Sequence, residues 1–436
     1  MRARIGVVVL ALAAGGCDWR SFDDLKKDTP VLAIGAPSDY PAGDDFGPIL
    51  LPLAPPADKS AAGRFIATAT NKTSVGVMYF DDGGHVRGTG VTGTAFDQLA
   101  NGPVNEIAAI PGGTQVLLGA PAPLVGDVLV MNVDPPFQTT TFQELAESQF
   151  GVGVGAGDIT GAAAPEYVAL SSTTLHVYLD GVPSAEHTRM DSGPADPCPI
   201  AFTTALPPRY RANRAVIIAP LLGTAASQIA VGTPNATASS PGHVSIFDVD
   251  ASGNITCSAA LTASEALFGR AMTLVDVDGD GTPDHLLVGA PPSRAYLFAL
   301  PLSNNQAPSM MVSESMSGSD FGAAVAAFDL DGRAGDEMFV GDPAATVDGT
   351  DTAGRVSIYT GTAMSKTLAM TIPNPLAMHE PKAGDGYGSG IAGMTFCPGA
   401  GVDGGSATPC TKLPLVGSLS KVYAYFTLRK PDPRVK

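Results

Sequence analysis

Short apolar runs ending in a small-residue turn recur along the chain: LLGAP (117–121), IAVGTP (229–234), LLVGAP (286–291), MFVGDP (338–343) and PLVGS (414–418), with two worn copies, FIATAT (65–70) and YVALSS (167–172). The aligned slot, glycine in most copies, falls at Thr68, Gly119, Ser171, Gly232, Gly289, Gly341 and Gly417, at intervals of roughly 50 to 60 residues except before the last. Seven units of one size result. Soon after each slot the pattern becomes an alternation rich in aromatic and β-branched residues: VGVMYF (75–80), GDVLVMNV (126–133), TLHVYL (174–179), GHVSIFDV (242–249), RAYLFAL (294–300), GRVSIYTG (354–361) and KVYAYFTL (421–428). Period two, with Gly, Pro or Ser in the short intervals, predicts strands joined by hairpin loops. Ahead of the slot most units open another strand with an aromatic–glycine pair: Phe46-Gly47, Phe150-Gly151, Phe268-Gly269, Phe321-Gly322 and Tyr387-Gly388. Segments such as APSMMVSE (307–314) and SKTLAMTI (365–372) imply a fourth strand.

Four antiparallel strands per unit are blade-like, and radial closure is how such sheets avoid long open edges. The Phe, Gly and Gly-Ala-Pro pattern resembles FG-GAP repeats, the units of the integrin α-subunit N-terminal propeller, over residues 31–428. The expected fold is therefore all-β, a seven-bladed β-propeller of four-stranded antiparallel blades. An eighth run, VLAIGAP (31–37), lies too close to the next slot to be a blade, and the last unit ends without a fourth strand. Residues 31–37 are expected to supply it and close the ring by pairing the two chain ends. The alternative is a loose N-terminal extension.

Composition agrees with an all-β chain. The 51 glycines and 37 prolines make up about a fifth of the 436 residues, which helices tolerate poorly. Hydrophobic residues reach 44% and charged residues only 15%, enough apolar surface for a large core and too little charge for disorder. The net charge of −17, with no Lys/Arg cluster, argues against nucleic acid as a partner.

The first residues read as an address. Arg2 and Arg4 precede an apolar run from Ile5 to Leu12, and Ala13-Ala14-Gly15-Gly16 leads into Cys17, the layout of a secretory signal over 1–16. The run is too short to span a bilayer. A cysteine directly after small residues resembles a bacterial lipobox, although Ala14 stands where that family usually has leucine. The resemblance implies acylation at Cys17 and a stable anchor, with 17–30 as anchor and linker; residues 429–436, beyond the last unit, read as a C-terminal tail. Ordinary signal cleavage leaving a free Cys17 is the alternative. Asp18 resembles an inner-membrane retention signal of some bacteria, so the choice of membrane stays open. Four cysteines remain, an even number in a chain bound for an oxidising compartment. Of the three connectivities, Cys198 with Cys257 and Cys397 with Cys410 is favoured, the second bracketing a Gly-rich insertion, CPGAGVDGGSATPC.

One loop carries a metal signal. DVDGDGTPD places Asp276, Asp278, Asp280 and Asp284 at positions one, three, five and nine, with Gly279 and Gly281 freeing the backbone to curl. Hard oxygen donors in this number, with the Thr282 carbonyl, suit Ca2+. An EF-hand would need glutamate at position twelve, where Leu287 stands, and the flanks read as strands. The loop instead resembles the β-hairpin calcium loop of integrin-type propellers, which implies Asp276, Asp278, Asp280 and Asp284 as ligands; the alternative is a solvated acidic turn. The sixth unit has a degraded copy, DLDGRAGDE, in which Asp329, Asp331 and Asp336 align after a one-residue deletion and Arg333 takes position five, where its guanidinium can stand in for an ion. The third unit keeps only Asp158 and Glu166 and the fourth has no acids there, so neither is expected to bind metal.

Other patterns carry less. Gly151 to Ala156 matches G-x-G-x-x-A, but neither the preceding buried strand nor the following helix that dinucleotide binding requires is present. There is no Gly-Lys pair for a phosphate loop, and neither H-E-x-x-H nor G-x-S-x-G occurs. The histidines share no spacing; His176 and His285 read as packed or surface residues, and Trp19 is expected near lipid headgroups. With no convergent acid, base or nucleophile set, the expected role is not enzymatic. A calcium-stabilised envelope module binding a protein or polysaccharide comes first, a scaffold subunit of an envelope assembly complex second, and a propeller hydrolase or lyase last.

Overall fold

The alternating runs form the third strand of every blade, among them Val75–Phe80, Gly126–Asn132, Thr174–Tyr178 and Arg294–Ala299. The slot runs form the second strand, as in Gln115–Ala120 and His285–Ala290. The computed structural model describes residues 31–37, 46–56, 61–68, 75–81, 84–91, 104–135, 137–162, 164–190, 196–200, 215–234, 241–265, 267–314, 319–347, 349–360, 367–373, 384–397 and 410–426. The expected signal segment 1–16, Cys17, Trp19 and the expected tail 429–436 lie outside these residues.

Seven sheets result, each of four antiparallel strands in up-and-down order. Six blades are continuous in sequence, over 49–91, 106–145, 153–190, 216–262, 271–313 and 324–373. The seventh takes three strands from 390–425 and its outermost strand from Val31–Ile34, which pairs antiparallel with Val422–Tyr425. The expected closure by the two chain ends is what the fold uses. The first strands contact one another in sequence and the last returns to the first, so they form the inner wall of a ring. Two single-turn 3-10 segments, Leu179–Gly181 and Pro183–Ala185, are the only helical pieces among the described residues.

The core lies between blades. In the third strand of blade five, Ala295 and Leu297 pack with Phe321, Val325 and Met338 of blade six, whereas Tyr296 and Phe298 pack with Val244 and Ile246 of blade four. Successive side chains point to opposite faces, and here both faces are buried, which is why these strands alternate in direction rather than in polarity. The aromatics that open the blades, Phe46, Phe150, Phe268, Phe321 and Tyr387, are fully buried.

The glycine slots are explained by how blades meet. At the junction of blades five and six, a side chain on Gly289 would collide with the Gly322 carbonyl oxygen. Gly322 holds φ of 95° and donates its N–H to Gly341 of its own blade at 3.0 Å. The same approach joins Gly119 to Gly151, Gly232 to Gly269, Gly341 to Gly388 and Gly417 to Gly47. The two slots without glycine, Thr68 and Ser171, precede the second and fourth blades, whose sequences carry no aromatic–glycine pair. The slot needs glycine only where the next blade brings a backbone carbonyl against it.

These junctions gather at one rim. At the other rim, Arg64 joins blades one and two by bonding Asp134 and donating to the Gly113 carbonyl at 3.2 Å. Cys198, in the segment before blade four, is disulfide-bonded to Cys257 on that blade's outer strand, and Cys397 is bonded to Cys410 across the mouth of the insertion. Two disulfides are consistent with an exported protein. No helix among the described residues is long and apolar enough to cross a membrane. The G-x-G-x-x-A match falls largely on Gly153–Gly157, an antiparallel inner strand paired with Glu166–Leu170, which has no place in a dinucleotide fold.

Candidate metal centre

The fifth-blade loop connects the inner strand Ala271–Val275 to the second strand His285–Ala290, which pair from Ala271 and Gly289 down to Val275 and His285. The antiparallel ladder therefore sends residues 276–284 out at the rim opposite the glycine slots. Inside the loop, aspartate side chains take the backbone amides that no ladder can reach. Asp276 accepts from Gly279 through one oxygen and from Gly281 through the other, both at 2.7 Å. Asp278 accepts from the Asp280 amide at 3.2 Å, and Asp280 from the Thr282 amide at 2.7 Å. These are local turns of the kind short acidic side chains favour. Gly279 and Gly281, with φ of 76° and 90°, permit the curl.

Carboxylate oxygens of Asp276, Asp278 and Asp280 lie within 4.8 Å of one another. Three hard anionic donors at that separation repel unless a cation or solvent lies among them, and they match the donor chemistry of Ca2+. Asp284 stands apart from this group. One of its oxygens accepts from the Val277 amide at 2.9 Å and faces His285 Nδ1 at 2.8 Å. Burial pushes this carboxyl up, but the His285 and Val277 bonds outweigh it and hold the group below its ordinary range. His285, 8% exposed, serves to orient Asp284 and is packed as the sequence suggests. Thr282 contributes its amide to the loop's internal bonding.

The sixth blade corrects one expectation. The acids brought together there are Asp329, Asp331 and Glu337, not Asp336. Glu337 accepts from the Leu330 amide at 2.8 Å, as Asp284 does from Val277, and Glu166 of blade three repeats the bond to Ile159 at 2.7 Å. Each acid stands eight residues after the loop's first aspartate, so the loops align without a gap and the one-residue difference is absorbed in strand pairing. Asp336 turns to the neighbouring blade: it accepts from the Asp276 amide at 3.0 Å and donates its own amide to the Asp276 carbonyl at 2.6 Å. Arg333 Nε lies 3.6 Å from Asp331. In blade three, the Thr160 hydroxyl bonds Glu166 and the Gly161 amide bonds Asp158.

Two polar clusters escaped the sequence reading. His176, 1% exposed, sits between Glu186 at 2.7 Å and Glu147 at 3.1 Å, confirming it as packed. Arg355 bridges Glu314 and the buried Asp342, whose other contacts are the Ser319 hydroxyl at 2.7 Å and the Asp320 amide at 2.7 Å. Both tie a segment ahead of an aromatic–glycine turn to strands of the blade it opens. The only sequence signal was an acid shortly before the aromatic.

Comparison with known proteins agrees with this anatomy. Residues 268–299, from the aromatic–glycine pair of blade five through its loop to the third strand, match the FG-GAP repeat family. A search of curated proteins by sequence gives no match. Among solved structures the fold is similar to one titled "Structure of U3-55K", with a TM-score of 0.52 at 9% identity, covering 92% of this chain and 99% of that one. At that identity the likeness speaks for the fold alone. The chain is a seven-bladed β-propeller whose fifth blade matches the FG-GAP repeat family over residues 268–299.

Proposed function

We propose that the protein is a cell-envelope binding module, a propeller whose fifth-blade loop is held by Ca2+ and whose loops engage a protein or polysaccharide. The observation that carries the reading is the convergence of Asp276, Asp278 and Asp280 on the exposed loop of the blade that matches FG-GAP repeats. These three side chains, with Asp284 bracing the loop from behind, would hold the ion. The ion supplies charge neutralisation and pins the loop, so its effect is on stability and shape, raising the folded population by mass action. A binding role also suits the inner wall, where the partly exposed residues, among them Leu51, Ala108, Ala156, Leu274 and Ala327, bear no titratable group. Cys17 would attach the module to the membrane through acyl chains, leaving the propeller outside the bilayer.

The test is a pull-down from native membranes with and without chelator. The proposal expects a surface protein or glycan retained in Ca2+ and released by chelation. Recovery of membrane assembly machinery regardless of chelator would instead favour a scaffold subunit.

A further inference from the structure

We infer that Asp336 is a positioning residue that clasps the fifth-blade loop from blade six and sets the affinity of that loop for a divalent cation. Asp336 lies outside the carboxylate group of its own loop, yet it meets both backbone polar groups of Asp276. Its Oδ2 accepts the Asp276 amide at 3.0 Å, and its amide donates to the Asp276 carbonyl at 2.6 Å. The two loops are close enough for this because both are glycine at the crossing. A side chain on Gly279 would meet the Ala334–Gly335 backbone, and one on Gly335, with φ of 93°, would meet the Val277 carbonyl.

Asp276 is the residue whose fixing has most effect. Its two oxygens already hold the Gly279 and Gly281 amides, so the curl of the loop is built on this one side chain. With its backbone held from the next blade, the carboxylate is oriented before any ion arrives, and less ordering remains to oppose binding. By linkage the converse holds: an ion bound to Asp276 strengthens the junction of blades five and six. The clasp itself requires no ion; its effect on affinity rests on the calcium reading proposed above.

Hydrogen exchange at the Asp276 amide, measured in chelator, reads the clasp directly, and calcium titration reads its consequence. Slow exchange is expected in the parent and in Asp336→Asn, whose side-chain carbonyl still accepts, and fast exchange in Asp336→Ala. Calcium affinity should fall about tenfold in Asp336→Ala, the loss of one such bond, and stay within about twofold of the parent in Asp336→Asn. Equal exchange at Asp276 in all three proteins overturns the clasp. An Asp336→Asn affinity as weak as that of Asp336→Ala overturns it too, because charge and not the bond would then be responsible. If the parent protects Asp276 through Asp336 but takes up no calcium, the clasp stands and the cation reading fails. Should Asp336→Ala not fold, Asp336→Ser, too short to reach the amide, replaces it in both measurements.

Discussion

Replacing Gly289 by alanine tests how the blades meet. The new methyl group would overlap the Gly322 carbonyl oxygen and come within 3.5 Å of the Ala271 Cβ. The obstacle is main chain, which yields less readily than a flexible side chain. Gly322 is tied to Gly341 at 3.0 Å and stands beside Phe321, which is fully buried. Relief therefore requires blade six to move against blade five. Overpacking a well-packed interior costs about 1–3 kcal/mol, and the fixed backbone places this substitution in the upper half of that range. Gly35→Ala is the control, because a side chain there meets nothing within 4 Å. Equilibrium unfolding in urea, followed by tyrosine fluorescence and circular dichroism, should show Gly289→Ala less stable by about 2 kcal/mol or more and the control within about 0.5 kcal/mol. A Gly289→Ala protein as stable as its control would refute the claim that the slot is glycine because of the facing carbonyl.

Two further outcomes follow from the closing blade. Deleting residues up to 37 removes the strand that pairs Val31 with Tyr425 and Ile34 with Val422, so the melting temperature should drop with the whole ring unfolding together, whereas an unchanged melt would mean the ring closes without it. The buried phenols of Tyr387 and Tyr425 bond one another, and burial pushes both above 10.0. Their neutral forms are favoured by folding, so this stability is complete below pH 10 and is lost above it as the unfolded chain ionises first, by up to about 1.4 kcal/mol per group per pH unit. A double Tyr387→Phe, Tyr425→Phe variant should lose stability less steeply between pH 10 and 11, and an identical slope would mean these phenols ionise freely in the fold.

Much of the wheel was legible because its rules are local and repeated. An alternating run becomes a third strand wherever it occurs, and the missing fourth strand of the last unit pointed to residues 31–37 as its source, of which Val31–Ile34 form the strand. The disulfide between Cys397 and Cys410 was legible from the insertion it brackets. What sequence spacing could not convey is contact between different blades. Aligning the sixth loop from its strand end put Asp336 among the acids, whereas the side chains align from the first aspartate and bring Glu337 there. The recurrence of an acid eight residues after Asp158, Asp276 and Asp329 was the available signal. The pairing of Asp336 with Asp276, or of Arg64 with Asp134, joins residues about 60 to 70 positions apart and leaves no periodic trace. The slot exceptions were visible as Thr68 and Ser171, but their cause needed the facing carbonyl.

Calorimetric titration of Ca2+ into the folded protein and into Asp278→Ala addresses the metal centre most directly. Saturable heat in the parent, lost in the variant while its fold is retained, is the expected result. Absence of heat in the parent, or equal heat in both proteins, would contradict a cation held by the fifth-blade loop.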